Sequence, residues 1–192
     1  MRESVGQLPL VLGISGASGV IYGVEALKVL RELGQPCHLI LSEAGAQNLA
    51  IETDYTVEQV KGMAAKVYEV GDVDAAVASG SFRHRGMLVA PCTIKTLSAI
   101  ANSFNYNLLI RAADVCLKER RPLVLMVRET PLHKGHLELM SKAADMGAVI
   151  LPPVPAFYHR PQSIMDLVHQ SIGKALDLLG IEHDLFQRWG GL

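Results

Sequence analysis

The chain has 192 residues, 49% of them hydrophobic, and 18 Lys plus Arg against 19 Asp plus Glu, for a net charge of −1. That length suits one compact domain over residues 1–192 with a sizeable core. The balanced charge excludes a general nucleic-acid binder, and no run of about 18 apolar residues exists to span a membrane.

Residues 8–14 form an apolar run too short for a secretion signal, and Pro9 and Gly13 break it. Residues 10–15 (LVLGIS) read as a buried strand. Val20, Ile21, Val24, Leu27 and Leu30 then recur at helical spacing, and Gly34 stands where a helix stop belongs. Residues 37–41 (CHLIL) predict a second strand, with Ser42 placed to cap the next helix. Residues 56–65 read as helical. Residues 86–90 (GMLVA) read as a strand ended by Pro91, followed by helices over 93–101 and 108–119. Residues 123–127 (LVLMV) predict a strand, 136–146 a helix, 149–151 a short strand and 163–179 an amphipathic helix.

The predicted strands are nearly continuous apolar runs, which marks strands covered on both faces. The fold class is therefore α/β: a parallel sheet between helix layers, three-layered and doubly wound. In such sheets ligands bind beyond the carboxyl ends of the strands, so the chemistry is sought there. The cysteines Cys37, Cys92 and Cys116 are scattered and form no CxxC pair. Neither a disulfide framework nor a zinc site is expected, and the simplest compartment is a reducing cytoplasm.

The first strand runs into Gly13-Ile14-Ser15-Gly16-Ala17-Ser18-Gly19. Its small residues let backbone N–H groups approach an anion at a helix N-terminus, and Ser15 and Ser18 add hydroxyl donors. The spacing is neither GxGxxG nor a P-loop. It reads as a seat for a nucleotide or flavin phosphate or ribityl chain, or as a tight turn packing helix on strand. Ser42 alone reads as an N-cap. Thr93-Ile94-Lys95-Thr96 places hydroxyls and a lysine at a helix start. Cys92 has no base beside it, and a buried thiol is inert. After the strand at 123–127, Arg128 offers a fork for phosphate and Glu129 a proton acceptor. The other reading of that pair is a structural ion pair. The proline-rich loop at 152–161 presents Phe157, Tyr158 and His159, with the Tyr158 hydroxyl as a donor. Arg111 and Lys118, two turns apart, share a helix face, and Lys174 lies at the edge of the last helix's apolar stripe. With Lys95 and Arg128 these cations suffice for two separate anions.

Seven segments occur in order across nearly the whole chain: GISGASGVIYG (13–23), ETD (52–54), SGSF (79–82), PCTIKTLSAIA (91–101), RAADVCLKERRPLVL (111–125), RETPLH (128–133) and PPVPAFYHRPQS (152–163). Together they resemble the UbiX/Pad-type flavin prenyltransferases, once described as aromatic-acid or polyprenyl-hydroxybenzoate decarboxylases. The resemblance implies a Rossmann-like flavoprotein assembled as a homo-oligomer, usually a dodecamer built from trimers, with no metal. It implies that reduced FMN and dimethylallyl phosphate are joined, through flavin N5 and C6, into a prenylated cofactor for a UbiD-type decarboxylase. FMN contacts would come from Ser15, Gly16, Ala17, Ser18, Ser42, Thr93, Ile94, Lys95, Thr96, Arg111 and Arg128. The prenyl phosphate would be held by Lys118, Arg128, Glu129, Tyr158 and Lys174, with Ser18, Glu129 and Tyr158 in the chemistry. Position 174 is often Arg in the family, and Lys keeps the charge but loses the fork. Some members place a Trp over the ligand from the segment before the SGSF-like motif. Here the only Trp is Trp189, in the C-terminal tail. Rival readings are an FMN-dependent decarboxylase of the aromatic-acid or cysteine type, and an FMN-binding subunit of a decarboxylase.

Overall fold

The structure, a computed structural model, describes residues 7–191. Its strands are β1 (Leu10–Ile14), β2 (Cys37–Leu41), β3 (Lys66–Glu69), β4 (Met87–Cys92), β5 (Leu123–Val127) and β6 (Val149–Ile150). The α-helices are α1 (Val20–Glu32), α2 (Glu43–Glu52), α3 (Val57–Lys61), α4 (Ile94–Ala101), α5 (Leu108–Lys118), α6 (Lys134–Asp145) and α7 (Ile164–Leu178). The strands form one sheet in the order β3-β2-β1-β4-β5-β6, every pairing parallel. The expected doubly wound α/β architecture is present.

Strand side chains alternate between two cores, as the period of two demands. Leu10, Leu12, Ile14, Leu88, Ala90, Val124 and Met126 face the layer that contains α1 and α7. Val11, Ile40, Met87, Val89, Leu123, Leu125 and Val127 face the layer that contains α4 and α5. Both faces of the central strands are thus buried, which is why their sequences do not alternate with polar residues.

The structure differs most from the sequence reading in three places. The helix expected over 56–65 is shorter, because Gly62 closes α3 and the chain turns at once into β3. That strand escaped detection: it is a four-residue edge strand whose Lys66 and Glu69 face solvent, so it lacks a buried strand's apolar run. β4 continues through Pro91 to Cys92, with a register irregularity between Val89 and Cys92. A proline is tolerated in a strand at such an irregularity, where its missing N–H breaks no ladder bond.

The topology positions the site. The chain leaves β1 towards one edge of the sheet and later returns to β4, against β1's other side. The loops after β1 and β4 therefore diverge to opposite faces and leave a crevice between them.

Candidate active site

A cleft of about 480 Å³ lies at that crossing, within the usual range for small-ligand pockets, and Ser15, Gly16, Ser42, Thr93, Lys95 and Thr96 line it. Tyr106, Leu109 and Val70 supply its apolar side. Gly16 is there because nothing larger fits: a Cβ on it would stand 2.3 Å from the Ala44 Cβ.

Two helix N-termini open into the cleft. Ser42 caps α2, its hydroxyl accepting from the Gly45 N–H at 3.0 Å. Thr93 caps α4, accepting from the Thr96 N–H at 3.0 Å and donating to the Thr96 hydroxyl at 2.9 Å. Both are N-caps and cleft residues at once. Lys95, on the first turn of α4, holds its ammonium 5.2 Å from the centre of the Tyr106 ring. Ile94 begins α4, half-buried.

The first loop is not the open anion seat that its small residues predict. The Glu52 carboxylate, from the last turn of α2, accepts from the N–H groups of Gly19 at 2.7 Å and Val20 at 3.2 Å. A carboxylate already satisfies the start of α1, whereas the helix starts that open into the cleft are those of α2 and α4. Sequence reasoning gave Glu52 no role. One signal existed: an acidic residue in a helix's last turn opposes the dipole and needs another reason to be there. Ser15 also departs from expectation. Its hydroxyl donates to the Pro91 carbonyl at 2.8 Å and accepts from the Thr93 N–H at 2.9 Å, so its proton is committed to joining the β1 and β4 loops. Ala17 and Ser18 stand between Gly16 and the α1 N-cap, and Ser18 is exposed with its hydroxyl unengaged by any bond among the described residues.

Ser15→Ala removes the acceptor of the half-buried Thr93 N–H and one of the two bonds that the Pro91 carbonyl accepts from Ser15. Denaturant titration should show about 1–3 kcal/mol of lost stability; an unchanged midpoint would mean water replaces the hydroxyl.

Arg128 and Glu129 follow the carboxyl end of β5 and are both exposed. Among the described residues they make no ion pair with each other. Glu129 accepts only from the Thr130 N–H at 2.9 Å, and the Arg128 charge bears on the half-buried Tyr22 phenol, whose pKa burial raises and Arg128 partly restores. The structural ion pair is thereby set aside, and both groups stand ready for a ligand.

The remaining cations are dispersed. Arg111 donates to the Ala78 carbonyl at 3.1 Å and pairs with Asp114 at 3.1 Å. Lys118 pairs with Glu119 at the end of α5, which leads into the amino end of β5. Lys118 and Arg128 thus stand at opposite ends of a five-residue strand, roughly 16 Å long at the usual rise. Lys174 lies 3.7 Å from Asp177, near the end of α7. That end is anchored at the sheet's amino edge, since Arg85, just before β4, donates to the Leu179 carbonyl at 3.2 Å. Tyr158 is exposed, and the Trp189 ring stands edge-on to it with centroids 6.2 Å apart. The single chain therefore assembles the cleft but does not gather Lys118, Arg128 and Lys174 around one point.

Burial raises the thiols of Cys37, Cys92 and Cys116 to about 12. Raised values keep them protonated at neutral pH, so at pH 8 the thiolate fraction is on the order of 10⁻⁴. A disulfide reagent should titrate no thiol in the native protein and three after denaturation; a fast native thiol would reopen Cys92 as a nucleophile. Among the described residues no group of three or more metal-binding side chains gathers, and no helix is long and apolar enough to cross a membrane.

A doubly wound sheet with its cleft at the β1/β4 crossing is a common ligand-binding architecture, and residues 2–175 match the family model described as Flavoprotein, which sets the class. The chain is 58% identical to the flavin prenyltransferase UbiX of Thauera aromatica over 95% of this chain and 94% of that one. It is 55% identical to the UbiX of Escherichia coli K12, covering 95% and 98%. Among solved structures, AnUbiX (PadA1) in complex with FMN and dimethylallyl pyrophosphate superposes with a TM-score of 0.95 at 45% identity, covering 97% of this chain and 99% of that one. A dodecameric FMN-dependent UbiX-like decarboxylase from Escherichia coli O157:H7 gives 0.93 at 41%, covering 96% and 100%. The chain belongs to the UbiX flavin prenyltransferase family. The cysteine decarboxylase TvaF, 18% identical with a TM-score of 0.60 over 88% of this chain and 99% of that one, shares the fold alone.

Proposed function

We propose that this protein transfers a dimethylallyl group from dimethylallyl phosphate to N5 and C6 of reduced FMN, and that a UbiD-type decarboxylase takes up the product. The observation that carries the reading is the combination of a flavin-sized cleft with an Arg128–Glu129 pair engaged by no side chain, at the carboxyl edge of the sheet. The cleft residues fit FMN. Two capped helix starts and Lys95 offer donors and positive charge to its phosphate, while Tyr106, Leu109 and Val70 offer apolar surface. FMN supplies the nucleophilic ring atoms when bound.

The chain's own groups serve the leaving phosphate and the proton. Departure of an allylic phosphate is favoured by preorganised cations, the role given to Lys118, Arg128 and Lys174 with the Tyr158 hydroxyl. Bonding at N5 displaces the phosphate and releases the N5 proton; ring closure then joins C6 to the prenyl double bond, which takes up one proton as C6 releases another, an exchange given to Glu129 and the departed phosphate. Ser18, exposed two residues beyond the cleft-lining Gly16, is given a proton relay.

Lys118 and Lys174 lie towards the amino edge and Arg128 at the carboxyl edge. The donor site is therefore completed between protomers of a homo-oligomer, a reading supported by the dodecameric relative. The exposed Phe104, Phe157 and Ile164, at 66%, 69% and 79%, supply surface for such contacts. The three free, buried cysteines accord with the cytoplasm as the site of action.

The test is anaerobic incubation with reduced FMN and dimethylallyl phosphate, followed by mass spectrometry of the released flavin. A gain of one C5H8 unit is expected. Unchanged FMN with both the monophosphate and the diphosphate would sink the reading. Two solved relatives more than 40% identical carry decarboxylase names, the dodecameric one and the phenylacrylic acid decarboxylase of Aquifex aeolicus, 44% identical with a TM-score of 0.85 over 93% of this chain and 99% of that one. Aromatic-acid decarboxylation without a second protein would favour that alternative.

A further inference from the structure

The C-terminal tail, residues 181–191, lies close upon α7. Ile181 and His183 are buried, and a Cβ on Gly173 would stand 2.5 Å from the Phe186 ring and 2.7 Å from the His183 ring. The glycine in mid-helix is the seat on which the tail rests. One carboxylate fastens it there. Asp177 accepts two bonds from the Arg188 guanidinium, at 2.7 and 3.0 Å, a fork geometry that fixes orientation as well as distance. It also lies 3.2 Å from His183 Nε2. That nitrogen is a donor, since His183 Nδ1 accepts from the Leu185 N–H at 3.2 Å while Nε2 gives its proton to the Gly173 carbonyl at 2.8 Å. The Arg188 hydrogen bonds hold the Asp177 carboxyl below its ordinary range, so it stays charged through the physiological pH range.

The same carboxylate faces Lys174. At 3.7 Å the ammonium is attracted but not hydrogen-bonded, so its donors remain open to another anion. The residue after Arg188 is Trp189, whose ring meets Tyr158. A chain of contacts thus runs from Lys174 through Asp177 and Arg188 to Trp189 and Tyr158.

We propose that Asp177 is a positioning residue for the prenyl-donor site: it aims Lys174 and, through Arg188, docks the tail so that Trp189 and Tyr158 form one preformed wall. The inference rests on the donor roles of Tyr158 and Lys174 proposed above. It also accounts for Lys at position 174. A flexible ammonium lacks the guanidinium's fork, and a neighbouring carboxylate supplies the missing orientation.

Trp189 is the only tryptophan, so its emission reports tail docking directly. In Asp177→Asn we expect red-shifted emission, easier acrylamide quenching, and a KM for dimethylallyl phosphate raised about ten-fold with kcat changed less than about two-fold. FMN affinity should stay at the wild-type value. Asp177→Glu should recover part of the KM. Gly173→Ala keeps Asp177 and favours the helix, yet lifts the tail; it should shift emission and KM in the same direction. If Asp177→Asn does not fold, Gly173→Ala decides by the same readouts. If the wild type prenylates flavin while both variants keep wild-type emission, quenching and KM, the inference fails and the proposed function stands. Emission changes without a KM change also overturn it, leaving a tail anchor only. If the wild type forms no prenylated flavin, the proposed function fails first and the donor role of Asp177 falls with it.

Discussion

Glu129→Gln should bind reduced FMN and the prenyl donor as the wild type does, yet form prenylated flavin roughly 10²–10⁴-fold more slowly. Gln keeps the size of the side chain and its carbonyl acceptor, so the bond from the Thr130 N–H at 2.9 Å survives. What it loses is the ability to take a proton. Glu129 is exposed and makes no ion pair with Arg128, so the substitution removes no partner from a buried charge. The measurement is single-turnover formation of prenylated flavin with reduced FMN already bound. A wild-type rate would remove Glu129 from the mechanism and leave the departed phosphate as the base. Arg128→Ala separates the two roles. It should weaken donor binding, by something like 2–5 kcal/mol where the assembled site leaves the phosphate buried and unpaired.

Gly16→Val should abolish co-purification of FMN. Any Cβ at this position meets the Ala44 Cβ at 2.3 Å, with the Ala44 backbone next at 3.1 and 3.2 Å. Backbone cannot rotate away as a side-chain end can. The β1 loop and the start of α2 must therefore part, and those two segments line the cleft. Overpacking of this kind costs about 1–3 kcal/mol of stability, which a doubly wound domain with two filled cores survives. The folded variant should then show wild-type circular dichroism and at least about a hundred-fold weaker FMN binding, some 2.7 kcal/mol. Normal flavin affinity would mean that the loop and α2 separate without deforming the site.

Much of this was legible in the sequence. Continuous apolar runs at residues 10–14, 37–41 and 123–127 marked buried parallel strands, and their ends marked the loops that carry Ser15, Ser42 and Arg128. Local chemistry explains that success: strand burial, helix periodicity and capping by Ser42 are each settled within a few residues. β3 was not legible, because an edge strand with charged residues at both ends has no apolar signature. The resemblance of the long ordered motifs pointed to Glu129, Tyr158 and Lys174, but not to how those residues are held.

Composition and pattern by themselves determined an α/β fold with a parallel sheet and, through its motifs, a family, and they pointed the search for a ligand to the carboxyl ends of the strands. Tertiary structure alone decided three things. Glu52, 33 residues from Gly19, fills the start of α1 and so turns the expected phosphate loop into a satisfied turn. The Ser15 hydroxyl, 76 residues from Pro91, ties the β1 and β4 loops together at the edge of the cleft. Trp189 reaches Tyr158 across the tail's fold onto α7. Each is a contact between residues far apart in the chain. Such contacts depend on which elements the sheet order brings side by side, and a β1/β4 crossing that skips two strands is a property of the whole topology, not of any local stretch of residues.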